Sequence, residues 1–151
     1  MSLRELVAQA KQGRTGRHGR LLTLKEIRRI KKRGYEAERE LVKTLRLHGF
    51  RAVRVPVSAP SNEPLPDVFA TKGDCLVAFE VKAPRAERAY FRREQVKKLF
   101  EFLDFFGTYR RKLAVLGVKF PYKWVFKLVD KLDDYVIHKR EESSFKLDKL
   151  A

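Results

Sequence analysis

The sequence predicts an α/β domain, a mixed five-stranded sheet flanked by helices, behind a basic N-terminal extension. Apolar residues follow helical spacing over two stretches and strand-like alternation or continuity over five, in the order helix, three strands, helix, two strands. The chain has 151 residues, 44% hydrophobic and 36% charged, enough for one domain with its own core. Residues 1–33 carry 11 Lys plus Arg against 2 acids, which is +9 of the formal net charge of +16, and this separates them from the domain proper, residues 34–151.

Leu3, Leu6, Val7 and Ala10 have helical spacing, after which Gly13, Gly16 and Gly19 interleave with Arg14, Arg17, His18 and Arg20 in a basic link. Thr23 and Glu26 are spaced as a capping box, which predicts a short helix carrying Leu24, Ile27 and Ile30 among Arg28, Arg29, Lys31, Lys32 and Arg33. An ill-ordered basic tail is the competing expectation. A helix is then expected over 35–48, with Leu41, Val42 and Leu45 in its apolar stripe and Gly49 ending it. The segment 50–55 alternates as a strand, with Val53 and Val55 on one face and Ala52 and Arg54 on the other.

Four of the six prolines fall in 56–66, which reads as a loop or a stiff edge excursion. Segments 67–71 and 75–82 read as a hairpin turning at Lys72, Gly73 and Asp74. A helix over about 93–106 carries Val96, Leu99, Phe100 and Leu103 on one face and closes at Gly107. Segments 113–120 and 124–129 supply the last two strands.

No apolar run approaches the roughly 20 residues of a membrane-spanning helix, and no N-terminal apolar stretch precedes a small-residue cleavage site. A cytoplasmic, nucleoid-associated protein with no membrane partner is expected. A lone Cys75 leaves no internal disulfide, and His18, His48 and His138 lack zinc spacing. The excess positive charge calls for a polyanion, nucleic acid first. Ribosome binding and the charge enrichment of heat-adapted proteins are the alternatives, the latter in keeping with one Asn and three Gln.

Three acids and a lysine stand out. Glu80 and Lys82 are two apart in a strand and share a face, opposite Val77, Phe79 and Val81. Two charges there need each other, a metal or water, and a structural ion pair is the plain alternative. Asp67 opens the neighbouring strand, and hairpin pairing can bring its carboxylate beside Glu80. A divalent cation would relieve their repulsion and prefers hard oxygen ligands, whereas a turn-forming Asp after Pro66 is the commoner use of that residue. Glu38 falls inside the stripe of Leu41, Val42 and Leu45, so it faces inward; a dipole role in the first helical turn is the alternative to a role at the same cation.

Taken in order, Gly34-Tyr-Glu-Ala-Glu38-Arg39-Glu-Leu, Gly49-Phe-Arg-Ala-Val-Arg54, Pro66-Asp67 and Glu80-Val81-Lys82 resemble the motifs of the archaeal Holliday junction resolvases, in the PD-(D/E)xK nuclease superfamily, over about residues 33–130. The resemblance implies a restriction-endonuclease-like fold, with Glu38, Asp67, Glu80 and Lys82 as the catalytic group. It implies Mg²⁺, with Mn²⁺ able to substitute, held by Asp67, Glu80 and the Val81 carbonyl and completed or oriented by Glu38. Arg39 and Arg54 become phosphate-binding neighbours, and Ser58 matches a loop serine near the site in some members. The proline-rich loop is longer than usual, and the basic extension before Lys31 departs from the pattern.

On this basis the expected function is resolution of four-way or branched DNA by metal-dependent phosphodiester hydrolysis, with Lys82 orienting or deprotonating the attacking water and the products carrying 5′-phosphate and 3′-hydroxyl ends. A homodimer would place two centres on the junction's two symmetric strands. Phe102, Phe105 and Tyr109 form a second apolar stripe that suits a dimer, or else a cover by residues 135–150. Arg85, Arg88, Arg92 and Arg93, with Tyr90 and Phe91, suit contact with a DNA backbone. A restriction or repair endonuclease of the same superfamily, and a non-catalytic basic nucleic-acid-binding domain, are the competing functions.

Overall fold

The computed structural model describes residues 20–56 and 62–149; the expected helical stripe of residues 3–10, the link up to Gly19, and Ser58 lie outside them. One helix, α1 (Leu24–Leu47), takes the place of the two expected on either side of Gly34. It starts where the capping box predicts: the Thr23 hydroxyl accepts the Glu26 N–H at 3.2 Å, and the Glu26 carboxylate accepts the Thr23 N–H at 2.7 Å. A single helical glycine costs only about 1 kcal/mol relative to alanine. The buried stripe of Ile27, Ala37, Leu41, Val42 and Leu45 continues on both sides of it and outweighs that cost. Gly49 ends the helix at φ 84°, the left-handed backbone that glycine tolerates.

The remaining elements are β1 (Arg51–Arg54), β2 (Val68–Lys72), β3 (Cys75–Lys82), β4 (Arg88–Phe91), α2 (Arg93–Asp104), β5 (Arg111–Phe120), β6 (Lys123–Val129), β7 (Tyr135–His138) and a 3-10 turn (Leu147–Lys149). The main sheet has the order β1-β2-β3-β5-β6. Its neighbours are antiparallel except β3 and β5, which are parallel, so it is the mixed five-stranded sheet that the sequence predicts. A parallel pair requires a crossover, and β4 with α2 supplies it.

β3 is buried on both faces. Cys75, Val77, Phe79 and Val81 pack on the α1 side with Leu41, Leu45 and Val68. Leu76 and Ala78 pack on the α2 side with Val96, Leu99 and Leu103. The second face is closed by a small antiparallel sheet, β4 with β7, through Ala89, Phe91 and Ile137. Among the described residues no helix is long and apolar enough to cross a membrane.

Three expectations are corrected. Residues 88–91, for which the sequence predicts no regular element, form β4 with alternating exposure. α2 ends at Asp104, and Gly107 does not close it, since Gly49 and Gly73 are the described glycines with positive φ. The second apolar stripe is divided: Phe102 is buried against Phe69, Phe106 and Tyr109 contact each other edge to face, and Phe105 remains 74% exposed. Beyond β7 the chain crosses the free edge of β6. There the Ser143 and Ser144 hydroxyls accept the Phe126 and Leu128 N–H groups at 2.9 Å each, and Phe145 packs on Phe79 and Phe126.

Candidate active site

The alternation of β3 sends Glu80 and Lys82 to the α2 side, as strand geometry requires. Asp67 stands one residue before β2, and extending the register in which Val68 pairs with Phe79 sets it opposite Glu80. Three bonds hold it there, one of them from the Val55 N–H to the Asp67 carbonyl at 2.9 Å. Its N–H donates to the Phe79 carbonyl at 3.0 Å, and its Oδ2 accepts the Val81 N–H at 2.8 Å. Asp67 is therefore part of the ladder and not a turn-former, which decides between the two uses its sequence position allows.

Glu38 reaches the site from α1. It is the fifteenth of 24 helical residues, so the first-turn dipole explanation fails once the two expected helices are one. It is 7% exposed, the one buried charged residue among those described. Arg54 Nε donates to its Oε2 at 2.5 Å, and the Arg54 guanidinium lies 4.3 Å from the centroid of the Tyr35 ring. The inward face of β1 is thus Ala52 and Arg54, while Val53 looks outward.

Burial, followed by the charge of Asp67, raises the Glu38 carboxyl to about 7 against the pull of Arg54. Burial raises Asp67 too, opposed by the Val81 N–H and by Lys82. Glu80 is pushed well above the ordinary carboxylate range by burial and by Asp67, with Lys82 and Lys98 opposing. Such acids must either hold protons or share a cation, and all-oxygen donors suit a hard one. Among the described residues no three His, Cys, Asp or Glu side chains come together as an ion-binding group. Asp67 and Glu80 thus offer two hard donors, a set that would hold such a cation only with further ligands from backbone or water, while Glu38 is paired with Arg54.

Lys82 donates to the Tyr90 carbonyl, and its Nζ lies 5.0 Å from the centroid of the Phe91 ring, so β4 positions it. Gln95 was not foreseen. Its Oε1 accepts the Arg92 N–H at 3.0 Å, capping α2, while its Nε2 donates to Glu80 Oε1 at 3.4 Å. A Gln in the third position of a helix signals a cap, but not what the other end of the amide touches.

Of the expected phosphate neighbours, Arg54 is committed to Glu38 and Tyr35, whereas Arg39 is exposed. Arg39, Lys43 and Arg46 line an open groove of about 570 Å³ with Leu47 and Val53. Arg88 and Tyr90 share the outward face of β4. Arg85, Arg92 and Arg93 are exposed, and the Arg93 N–H donates to Asp134 at 2.7 Å.

Comparison with known proteins gives concordant matches. The family described as archaeal Holliday junction resolvase (hjc) matches residues 29–151. The crossover junction endodeoxyribonuclease Hje of Sulfolobus acidocaldarius is 48% identical over 91 residues, 60% of this chain and, at 66%, just under two thirds of that one. Hje of Saccharolobus solfataricus is 39% identical over 104 residues, covering 69% of this chain and 77% of its own. The structure of Archaeoglobus fulgidus Hjc, a Holliday junction resolvase from an archaeal hyperthermophile, superposes with a TM-score of 0.59 at 29% identity over 70% of this chain and 88% of that one.

Proposed function

The chain belongs to the archaeal Holliday junction resolvase family, and from that premise we propose that it is a Mg²⁺-dependent endonuclease that resolves four-way DNA junctions. The observation that carries this is the Asp67–Glu80 pair, two carboxylates facing each other across adjacent strands and both raised by burial. Asp67, Glu80 and the Val81 carbonyl would hold Mg²⁺, or Mn²⁺ in its place, which would supply a water of lowered pKa and neutralise charge developing on the phosphate. Asp67 is fixed by the Val81 N–H and Glu80 by the Gln95 amide, so both ligands are presented with little reorganisation.

Glu38, anchored by Arg54, orients the water shell and can hold a proton near neutral pH. Lys82, positioned by the Tyr90 carbonyl, orients the attacking water. Hydrolysis leaves 5′-phosphate and 3′-hydroxyl ends. Arg39, Lys43, Arg88 and Arg92 hold the DNA backbone without reading sequence, as suits a nuclease that recognises shape. A twofold dimer, with the exposed Phe105 in its contact surface, places two centres on the two symmetric strands and yields paired nicks.

The test compares four-way, Y-shaped and linear duplex substrates with and without Mg²⁺. Preferential, metal-dependent cutting of the four-way junction is expected. Preferential cutting of linear duplex assigns the chain to restriction or repair chemistry instead, and binding without any cutting makes it a non-catalytic module.

A further inference from the structure

Among the described residues a single buried side-chain donor or acceptor has no hydrogen-bond partner: Nε of Arg33. A buried polar group left unpaired costs about 1 to 3 kcal/mol, more when it is charged. No ion pair of the described residues relieves it. Burial, and after it the positive charge of Arg85, pull the Arg33 guanidinium below its ordinary pKa. A half-buried arginine with an idle donor beside a second arginine lacks one thing, an anion.

The position of the pair indicates which anion. Arg33 stands on α1 one turn before the buried Ala37, on the stripe that continues to Glu40. Glu40 reaches Lys119 and Trp124 at the end of the sheet, at 2.8 and 2.9 Å. Arg85 comes from the connection three residues beyond Lys82. Both arginines therefore lie just past the carboxyl end of β3. The five residues from Arg33 to Glu38 amount to about 7.5 Å of helical rise, against about 3.4 Å per nucleotide along one DNA strand.

We propose that Arg33 and Arg85 form a two-arginine subsite for a single DNA phosphate, within about two nucleotides of the bond that is cut. When the strand binds, the Arg33 side chain turns out of its buried position so that its Nε–H donates to one non-bridging oxygen, and Arg85 faces the same phosphate. Planar guanidinium groups suit that oxygen geometry, and the bound phosphate satisfies the idle donor. The placement rests on the site assigned above, while the phosphate chemistry does not.

The experiment measures binding of the full chain to a four-way junction and to linear duplex across a salt series, for the wild type, Arg33→Gln, Arg85→Gln and the double variant. Losing one phosphate contact lowers the slope of log K against log salt by about 0.9. Each single variant is expected to show such a drop. The double variant should lose less than the sum of the two, because both side chains serve one phosphate. Junctions with a single neutral methylphosphonate, walked over the nucleotides flanking the cut, should include one position that weakens the wild type but not Arg33→Gln.

A wild-type slope in Arg33→Gln, or full additivity in the double variant, overturns the subsite. The methylphosphonate walk on the wild type decides it if a variant misfolds: no sensitive position within two nucleotides of the cut is equally fatal. Absence of junction cutting overturns the resolvase assignment, and the duplex slopes then still judge the arginines.

Discussion

Asp67 and Glu80 are held by protein donors before any ligand arrives, one by the Val81 N–H and the other by the Gln95 amide. Asp67→Asn and Glu80→Gln should therefore abolish detectable cutting while leaving junction affinity in place, which parallel cleavage and gel-shift titrations would check. Gln95→Ala removes only the orienting amide, so a 10- to 100-fold loss in activity or metal affinity, on the order seen for such outer partners, is expected from metal titration. The pH behaviour follows from sign. Glu38 is raised from 4.5 to about 7 by burial and then by Asp67, so its favourable contribution is complete below about 4.5 and is lost as pH rises through about 7. In metal-free protein the melting temperature should fall over that window relative to Glu38→Gln, and a pH-independent difference between the two would refute it. At this scale the shared face of Glu80 and Lys82 was legible, because β alternation is local. Gln95 and the Arg54–Glu38 pair were not, since each joins side chains about 15 residues apart through the fold.

α1 shows how local signals can be right and still divide an element wrongly. The capping box and Gly49 marked its true ends, while Gly34 and the basic composition suggested a boundary that the continuous buried stripe overrides. β4 was illegible for another reason. Its alternation is only four residues long and carries Arg88 and Tyr90 outward, and its partner β7 lies more than 40 residues further along the chain. The β5–β6 turn gives a test of strain at this scale. Tyr122 is fully exposed at φ 69°, a conformation that glycine adopts freely and tyrosine does not. Tyr122→Gly should stabilise the protein by about 1 kcal/mol, whereas Tyr122→Ala should give no gain; thermal unfolding of the two variants separates strain relief from loss of the ring.

For the whole molecule, the five strands and two flanking helices were legible because a sheet buried on both faces demands long apolar runs, and 75–82 and 113–120 are such runs. The closure of the sheet was not, because it depends on hydroxyls and one ring from the tail. Phe145→Ala removes a ring buried against Phe79 and Phe126 and should cost about 3 to 5 kcal/mol, measured by denaturant unfolding. Ser143→Ala with Ser144→Ala leaves the Phe126 and Leu128 N–H groups without those acceptors and should cost less in stability but increase self-association. The same strap imposes a sequence in time. β6 ends at Val129, but its protector arrives only with Ser143 to Phe145, and at 5 to 20 residues per second the ribosome needs about 1 to 3 s to supply them. Until that tail has docked, the sheet is complete but open along β6, so contact between newly made copies is a hazard that the tail guards against.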